Sequence, residues 1–426
     1  MMNKIINSIL FITIFSFTGC LDFVDNGNNK EVNLTPYLQL ATTNSILVKY
    51  KTIEKEKGCV NVYLSSGPKI YCEKNKSRRH TIKISNLEPD TSYKYEVISN
   101  LIDIDNTKRE FTTLSLDKEK IQRIWVIGDS GSDNQFTNNS ISGMENRLAG
   151  NKVDIFMTLG DNAGSSGTQE EYKNTFFKSF KNIIKTNVTW CIAGNHDSGS
   201  ENFYDTFTFP QNGEAGGYPS NSEKFYSFNQ GDIHIVMLDT QQLLFTYEEV
   251  WNWLKKDLKN NKQLWTIIAF HHPPYTKGSH DSDDEDDSDG RMFIMREYFN
   301  PLFETYNVDL VLSGHSHVYE RSHLINGHYE DSHNFSSSNI IEENDNFNYT
   351  KCSNNKNNGT IYNVAGSTAK GSYNINRQTD IHPALPIKFI SQGSVLITIN
   401  KNVLKSEFIG ANSILDTYTI TKKVCE

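Results

Sequence analysis

The chain has 426 residues, 37% hydrophobic and 22% charged, an ordinary globular composition long enough for two or three domains and a large core. Its 42 basic and 51 acidic residues leave a formal net charge of −9, and no basic stripe marks a nucleic-acid-binding surface. Tyr (20) and Phe (24) are plentiful, which suits a sheet-rich protein.

At the N-terminus, Lys4 precedes an apolar stretch from Ile5 to Phe17, too short to span a bilayer easily and fitting an export signal. The adjoining "FTGC" resembles the lipobox of bacterial lipoproteins. That resemblance implies a signal peptide over residues 1–20 and a lipidated Cys20 as the new N-terminus. The protein is then exported and held on the membrane of the cell envelope, facing the periplasm or the outside. An ordinary cleaved signal or an uncleaved anchor is the other reading. Residues 21–33 are polar and read as a tether. Export permits disulfides. Without Cys20 five cysteines remain. Cys59 and Cys72 flank two β-like runs and suit a hairpin bridge, Cys352 with Cys425 is the remaining pairing, and Cys191 inside "VTWCIAG" reads as a buried free thiol.

Residues 34–115 alternate polar and apolar positions, with turn residues every ten or so, the pattern of a small β-sandwich. In "LEPDTSYKYEV", Tyr93 or Tyr95 falls where a corner tyrosine would hydrogen-bond back over the turn, which resembles the fibronectin type III sandwich. From about residue 120 the pattern changes. Apolar runs at 124–127, 153–159, 188–193, 233–238, 265–270 and 308–312 alternate with helical stretches at 139–149, 169–184, 248–258 and 295–306. Strands alternating with helices predict an α/β layer fold over 120–426, with ligands beyond the carboxyl ends of the strands.

Five of those runs end in polar clusters: "GDSG" with Asp129, "GDNAG" with Asp161 and Asn162, "GNHD" with Asn195, His196 and Asp197, "HHPPY" with His271 and His272, and "GHSHVYER" with His315 and His317. Glycine precedes the polar residue in four of them, where a tight turn would set a side chain over the strand end. Carboxylates, an amide and imidazoles together suit Zn, Mn or Fe, and they are too many for one tetrahedral ion. Two ions sharing one carboxylate account for the number.

The five motifs, in this order, resemble the calcineurin-like metallophosphoesterases, and within them the purple acid phosphatase group with its N-terminal fibronectin-like domain. The resemblance runs over roughly 34–426. It implies a β-sandwich followed by a two-sheet α/β sandwich, and a hydrolase in which a metal-held hydroxide attacks phosphorus in line. Its substrates would be small phosphoesters or phosphoproteins. Asp161 matches the bridging ligand of two ions drawn from Fe, Zn or Mn. Asp129 and His317 match ligands of the first ion, and Asn195, His271 and His315 those of the second. His196 matches the histidine that faces the phosphate and assists the leaving oxygen, Asp197 would orient it, and His280 matches a substrate-side histidine. The departure is Gly164, where the purple enzymes carry the tyrosine that ligates ferric iron and gives the colour. Relatives without that tyrosine carry a histidine where Gly131 stands here. Tyr172 or a water is the candidate replacement.

Other residues read more plainly. His272 is structural or supports the ligands from behind, since adjacent side chains on an extended chain point opposite ways. His234 is packing and Asp239 a turn or cap. The acidic run 281–289 reads as a solvated loop, near enough to His280 to place negative potential at the mouth. A phosphodiesterase or nucleotide hydrolase on the same site, or a surface binding protein on a catalytically impaired scaffold, are the alternative functions.

Overall fold

The computed structural model describes residues 32–102, 109–198, 202–342, 347–352, 358–370 and 380–425. The export segment and Cys20 lie outside the described residues. Two sheets are built from residues 34–112. One orders strands Leu34–Gln39, Ser45–Glu56 and Ser77–Ser85; the other orders Gly67–Cys72, Cys59–Leu64, Ser92–Ile98 and Arg109–Thr112. Period-two burial turns Tyr93, Tyr95 and Val97 inward. Tyr93 is the corner tyrosine: its hydroxyl accepts a hydrogen bond from Glu88 N at 2.9 Å. Tyr95 instead reaches out of the sheet and donates to Lys185 O at 2.8 Å.

The rest of the chain forms two seven-stranded sheets. The first runs Thr189–Cys191, Ile155–Thr158, Gln122–Ile127, Ser394–Asn400, Val403–Ile409, Ile414–Lys423, Asn348–Cys352. The second runs Phe225–Gln230, Ile233–Leu238, Trp265–Phe270, Leu310–Ser313, Ile361–Ala365, Tyr319–Arg321, Ile387–Phe389. They pack face to face, with Trp190 stacked on Phe228 at 3.8 Å and Tyr319 on Phe408 at 4.2 Å. All six predicted apolar runs are strands.

Helix Gln135–Leu148 begins four residues before the apolar pattern announces it, because the Asn134 side chain caps it by accepting from Thr137 N at 3.0 Å. Helix Leu243–Asn260 buries Val250, Trp253, Leu254, Asp257 and Leu258, the i, i+3, i+4 stripe. The predicted helix 169–184 is instead broken into Gln169–Tyr172, a π-helical Lys173–Phe177, and Lys181–Ile184. The helix predicted at 295–306 starts at Arg291 and passes through a π-helical Met295–Phe299.

No break in packing separates residues 34–115 from the two larger sheets; the described residues form one compact unit with a continuous core. Leu38 bridges to Val188, the Tyr37 hydroxyl donates to Thr206 O at 2.5 Å, and Lys49 Nζ donates to Thr208 Oγ1 at 2.8 Å. The disulfides are Cys59–Cys72 and Cys352–Cys425, and Cys191 is a buried free thiol, as its apolar setting predicts.

Candidate metal centre

Strands Gln122–Ile127, Ile155–Thr158 and Thr189–Cys191 are mutually parallel, as are Trp265–Phe270 and Leu310–Ser313. Their carboxyl ends therefore open on one edge, where the two sheets meet. Asp129 N donates to Gly160 O at 3.1 Å and Gly314 N to His271 O at 3.0 Å, tying these strand ends together in pairs. Asp129, Asp161 and His315 all adopt left-handed backbone, with φ of 54°, 51° and 66°. Such a conformation in a non-glycine residue is costly and concentrates at functional sites. The glycines beside them leave no spare room: a Cβ at Gly194 would sit 2.1 Å from Asp161 Oδ1, and one at Gly366 2.7 Å from Asp129 Oδ2.

Asp129, Asp161 and His271 are buried, with one ligand atom from each within 4.8 Å of the others. Asn195 and His315 join them directly. Asn195 Oδ1 lies 3.0 Å from His271 Nε2, and His315 N donates to Asp129 Oδ2 at 2.8 Å. His317 Nε2 is 3.5 Å from Asp129 Oδ1, a buried oxygen.

His271 reveals what the cluster needs. Its Nδ1 is 2.7 Å from Leu159 O, which only accepts, so Nδ1 carries the proton. In the neutral ring, Nε2 then turns a lone pair toward Asn195 Oδ1 and, at 3.4 Å, Asp161 Oδ1. Electron pairs converging at these distances call for a positive charge between them, either a proton on His271 or a metal ion. Burial disfavours a charge on the ring, but Asp161 and Asp129 outweigh burial and raise its pKa. Burial raises Asp161, with Asp129 adding to the rise. Burial also works against the Asp129 carboxylate, yet His317 and His271 bring its pKa below the usual value. Burial first, then the surrounding imidazoles, hold His272 and His315 neutral. Neutral imidazoles and carboxylates facing one another are the donor set of a Zn, Mn or Fe centre, so these residues fit bound metal.

His196 stands at the rim, its side chain 38% exposed, with Nε2 3.8 Å from Asp161 Oδ2 and Nδ1 3.0 Å from Ser165 O. Its backbone N donates to Asp161 Oδ1 at 2.9 Å. His280 also borders the centre, its ring stacked on His315 at 3.8 Å.

Asp197 requires a correction: it does not orient His196. It is fully buried and accepts from Asn162 N and Nδ2, Gly194 N, Ala163 N and the Tyr172 hydroxyl, at 2.9–3.0 Å. Burial and the Asp161 charge push it up to about 6 against those hydrogen bonds. Asp197 ties the loop carrying Asp161 to the one carrying Asn195. The Tyr172 hydroxyl, a candidate ligand in the sequence, is used in that tie. Gly131 and Gly164 pack backbone to backbone; a Cβ at Gly131 would meet Ala163 O at 2.0 Å, and one at Gly164 would meet Gly131 O at 2.8 Å.

His272 sits behind the centre, its Nδ1 2.6 Å from Thr240 Oγ1. His234 is buried against Asp257 at 2.7 Å, and Asp239 closes a turn by accepting from Gln241 N at 2.8 Å. The acidic run is not simply a solvated loop. Asp287 Oδ1 bonds His280 Nδ1 at 2.8 Å and Ser288 Oγ bonds His315 Nε2 at 2.7 Å. The His280 pairing is among the interactions that overcome burial and bring Asp287 down to about 2. A seven-residue reach across an irregular loop obeys no regular period, so the sequence carries no signal for it.

A family model described as Calcineurin-like phosphoesterase matches residues 122–319. Purple acid phosphatase 15 of Arabidopsis thaliana is 27% identical over 281 residues, 58% of this chain and 50% of that protein. Phosphoenolpyruvate phosphatase of Allium cepa is 27% identical over 265 residues, 58% of this chain and 51% of that protein. The match thus spans about half the length of these relatives. Among solved structures, a purple acid phosphatase from yellow lupin (Lupinus luteus) seeds superposes with a TM-score of 0.71 at 18% identity, covering 93% of this chain and 75% of that one.

Proposed function

We propose that this chain, which carries a calcineurin-like phosphoesterase domain over residues 122–319, is a two-metal phosphoester hydrolase of the acid phosphatase kind. The observation that carries the reading is the convergence of electron pairs from His271, Asn195 and Asp161 beside Asp129, His315 and His317. Asp129, Asp161 and His317 would hold one ion, and Asp161, Asn195, His271 and His315 the other. Bound there, the ions supply a water acidic enough to react near neutral pH and charge to offset the phosphoryl oxygens. The chain's own residues do the rest. Asp161 lies between the two ligand sets, fixed by the His196 amide. Ser165 O accepts from His196 Nδ1, so Nε2 is left to exchange a proton with the leaving oxygen. The open position of His196 suits a group that must meet substrate.

The substrates we assign are phosphomonoesters, small or on proteins. Residues 34–115 we take as a fibronectin-like module bracing the loops after residue 188. Two disulfides support an oxidising compartment, and lipidation at Cys20 would keep the protein on a membrane. No helix among the described residues is long and apolar enough to cross one.

The test is hydrolysis of p-nitrophenyl phosphate and its bis-ester by purified protein stripped of metal and resupplied with Zn, Mn, Fe, Co or Ni. Metal-dependent monoester hydrolysis is expected. No turnover with any of the five would leave a binding protein on this scaffold.

A further inference from the structure

The loop at 280–290 holds two neighbouring residues whose hydrogen bonds determine each other. Ser288 Oγ lies 2.8 Å from Asp287 Oδ1 and 2.7 Å from His315 Nε2. The Asp287 carboxylate only accepts, so the hydroxyl proton goes to it, and Ser288 Oγ is left to accept from His315. His315 must then carry its proton on Nε2, leaving the Nδ1 electron pair free. The same Asp287 oxygen accepts from His280 Nδ1 at 2.8 Å, which leaves His280 Nε2 free of the loop. Asp287 Oδ2 accepts from Asp281 N at 2.8 Å, fixing the carboxylate.

The backbone is bent to make this possible. Ser288, Asp289 and Gly290 are left-handed in succession, with φ of 57°, 53° and 77°. Arg291 holds the bend, donating to Ser288 O at 2.9 Å, Asp289 Oδ2 at 2.6 Å and Gln241 O at 3.2 Å. Two successive non-glycine residues in this region need such support. The His280 ring, stacked on His315 with 20° between planes, shares the same anchor.

We propose that Asp287 and Ser288 are positioning residues that set the tautomers of His315 and His280. They present His315 Nδ1 as a ligand atom to the second ion and turn His280 Nε2 away from the loop as a donor or acceptor. The proposal rests on the two-metal reading for its purpose, but not for its proton arrangement. Partners of this kind fix ring orientation and raise metal affinity in general; here they come from a stretch whose composition suggests solvent.

The experiment is long-range 1H–15N NMR on the metal-free, full-length protein with 15N-labelled histidine. Wild type should show His315 as the Nε2–H tautomer. Ser288→Ala and Asp287→Ala should each give mixed tautomers. In zinc titrations against a chromophoric chelator, Ser288→Ala should weaken one ion about 10–100-fold. An Nδ1–H tautomer in wild type, or unchanged tautomers in both alanine variants, overturns the proposal. An Nε2–H wild type that binds no zinc upholds the tautomer relay and removes the two-metal reading.

Discussion

On the proposed two-ion reading Asp161 serves both sets of ligands, so its loss should be felt by both. Asp161→Asn should lower phosphatase turnover by several orders of magnitude and reduce bound metal, read by plasma mass spectrometry beside the rate. His196→Ala should keep its metal yet turn over about 10²–10⁴-fold more slowly, the usual loss when proton-transfer assistance is removed. Retained turnover in either variant contradicts the assigned role. The gathering of these side chains was legible in the sequence: a glycine, then a carboxylate, amide or imidazole, at the end of four apolar runs. The glycines mark turns that set side chains over the strand ends, and the left-handed Asp129, Asp161 and His315 come directly after them. Asp197 was misread because "GNHD" shows adjacency but not direction. Its side chain turns inward to five donors while His196 turns outward. The missing tyrosine has a physical counterpart in the tight Gly131–Gly164 contact. Ferric iron should therefore bind without a strong visible absorption band, and one of two ions should leave readily to a chelator. Gly164→Tyr should lower the melting temperature rather than create an iron site. An intense visible band from the wild-type iron form would show that another phenolate reaches the centre.

Strands were easier to locate than helix starts. Continuous apolar runs mark buried strands by themselves, whereas the first turns of the helices at 135 and 243 are partly polar or exposed and begin before any stripe develops. The π-helical segments at 173–177 and 295–299 were invisible because they keep a helix-like pattern while altering its hydrogen bonds. The loop at 281–289 was only half read by composition: Asp284, Glu285, Asp286 and Asp289 are exposed, but Asp281, Asp283 and Asp287 have partners. Lys277, within 2.6 Å of Asp281 and 2.8 Å of Asp283, supplies one of them. The Cys59–Cys72 pairing was legible because the two flank short β-like runs, and Cys59 faces Cys72; Cys352–Cys425 followed only as the remaining pair, since the pairing of Asn348–Cys352 with Ile414–Lys423 joins distant segments. The Cys352–Cys425 bridge closes a loop of 73 residues. Replacing both with Ser should cost about 4 kcal/mol on the chain-entropy account of such bridges, measured by urea unfolding without reductant. A loss below ~1 kcal/mol would mean that the parallel pairing holds the C-terminal strand without it.

For the molecule as a unit, pH acts through groups far from the centre as well as within it. His328 and His382 are buried near Tyr275, and burial above all brings them down to about 4 and about 3. The unfolded chain takes up protons on both near 6.5 while the folded one refuses them. Their contribution to stability is thus full above about 6.5 and is lost as pH falls toward those values. Glu304, raised to about 7 chiefly by burial, opposes this over part of the range, because its folded form keeps a proton that the unfolded form releases above about 4.5. Buried Asp197, raised to about 6, acts in the same sense as Glu304. Removing the two histidines takes away only the contribution that grows with pH, so His328→Gln with His382→Gln should make stability rise less, or fall more, between pH 4 and 6.5 than in wild type, read in thermal melts. Equal slopes for variant and wild type would place the acid sensitivity elsewhere. A different consequence arises from the first seven-stranded sheet, whose middle is assembled from distant parts of the chain. Gln122–Ile127, which delivers Asp129, pairs on one side with Ile155–Thr158 and on the other with Ser394–Asn400. The second partner lies about 270 residues later, and at ribosomal speeds of about 5–20 residues per second it emerges roughly 15–50 s afterwards. Throughout that interval one edge of an apolar strand has no neighbour, so the nascent chain depends on whatever keeps it from pairing with another copy until its own C-terminal strands arrive.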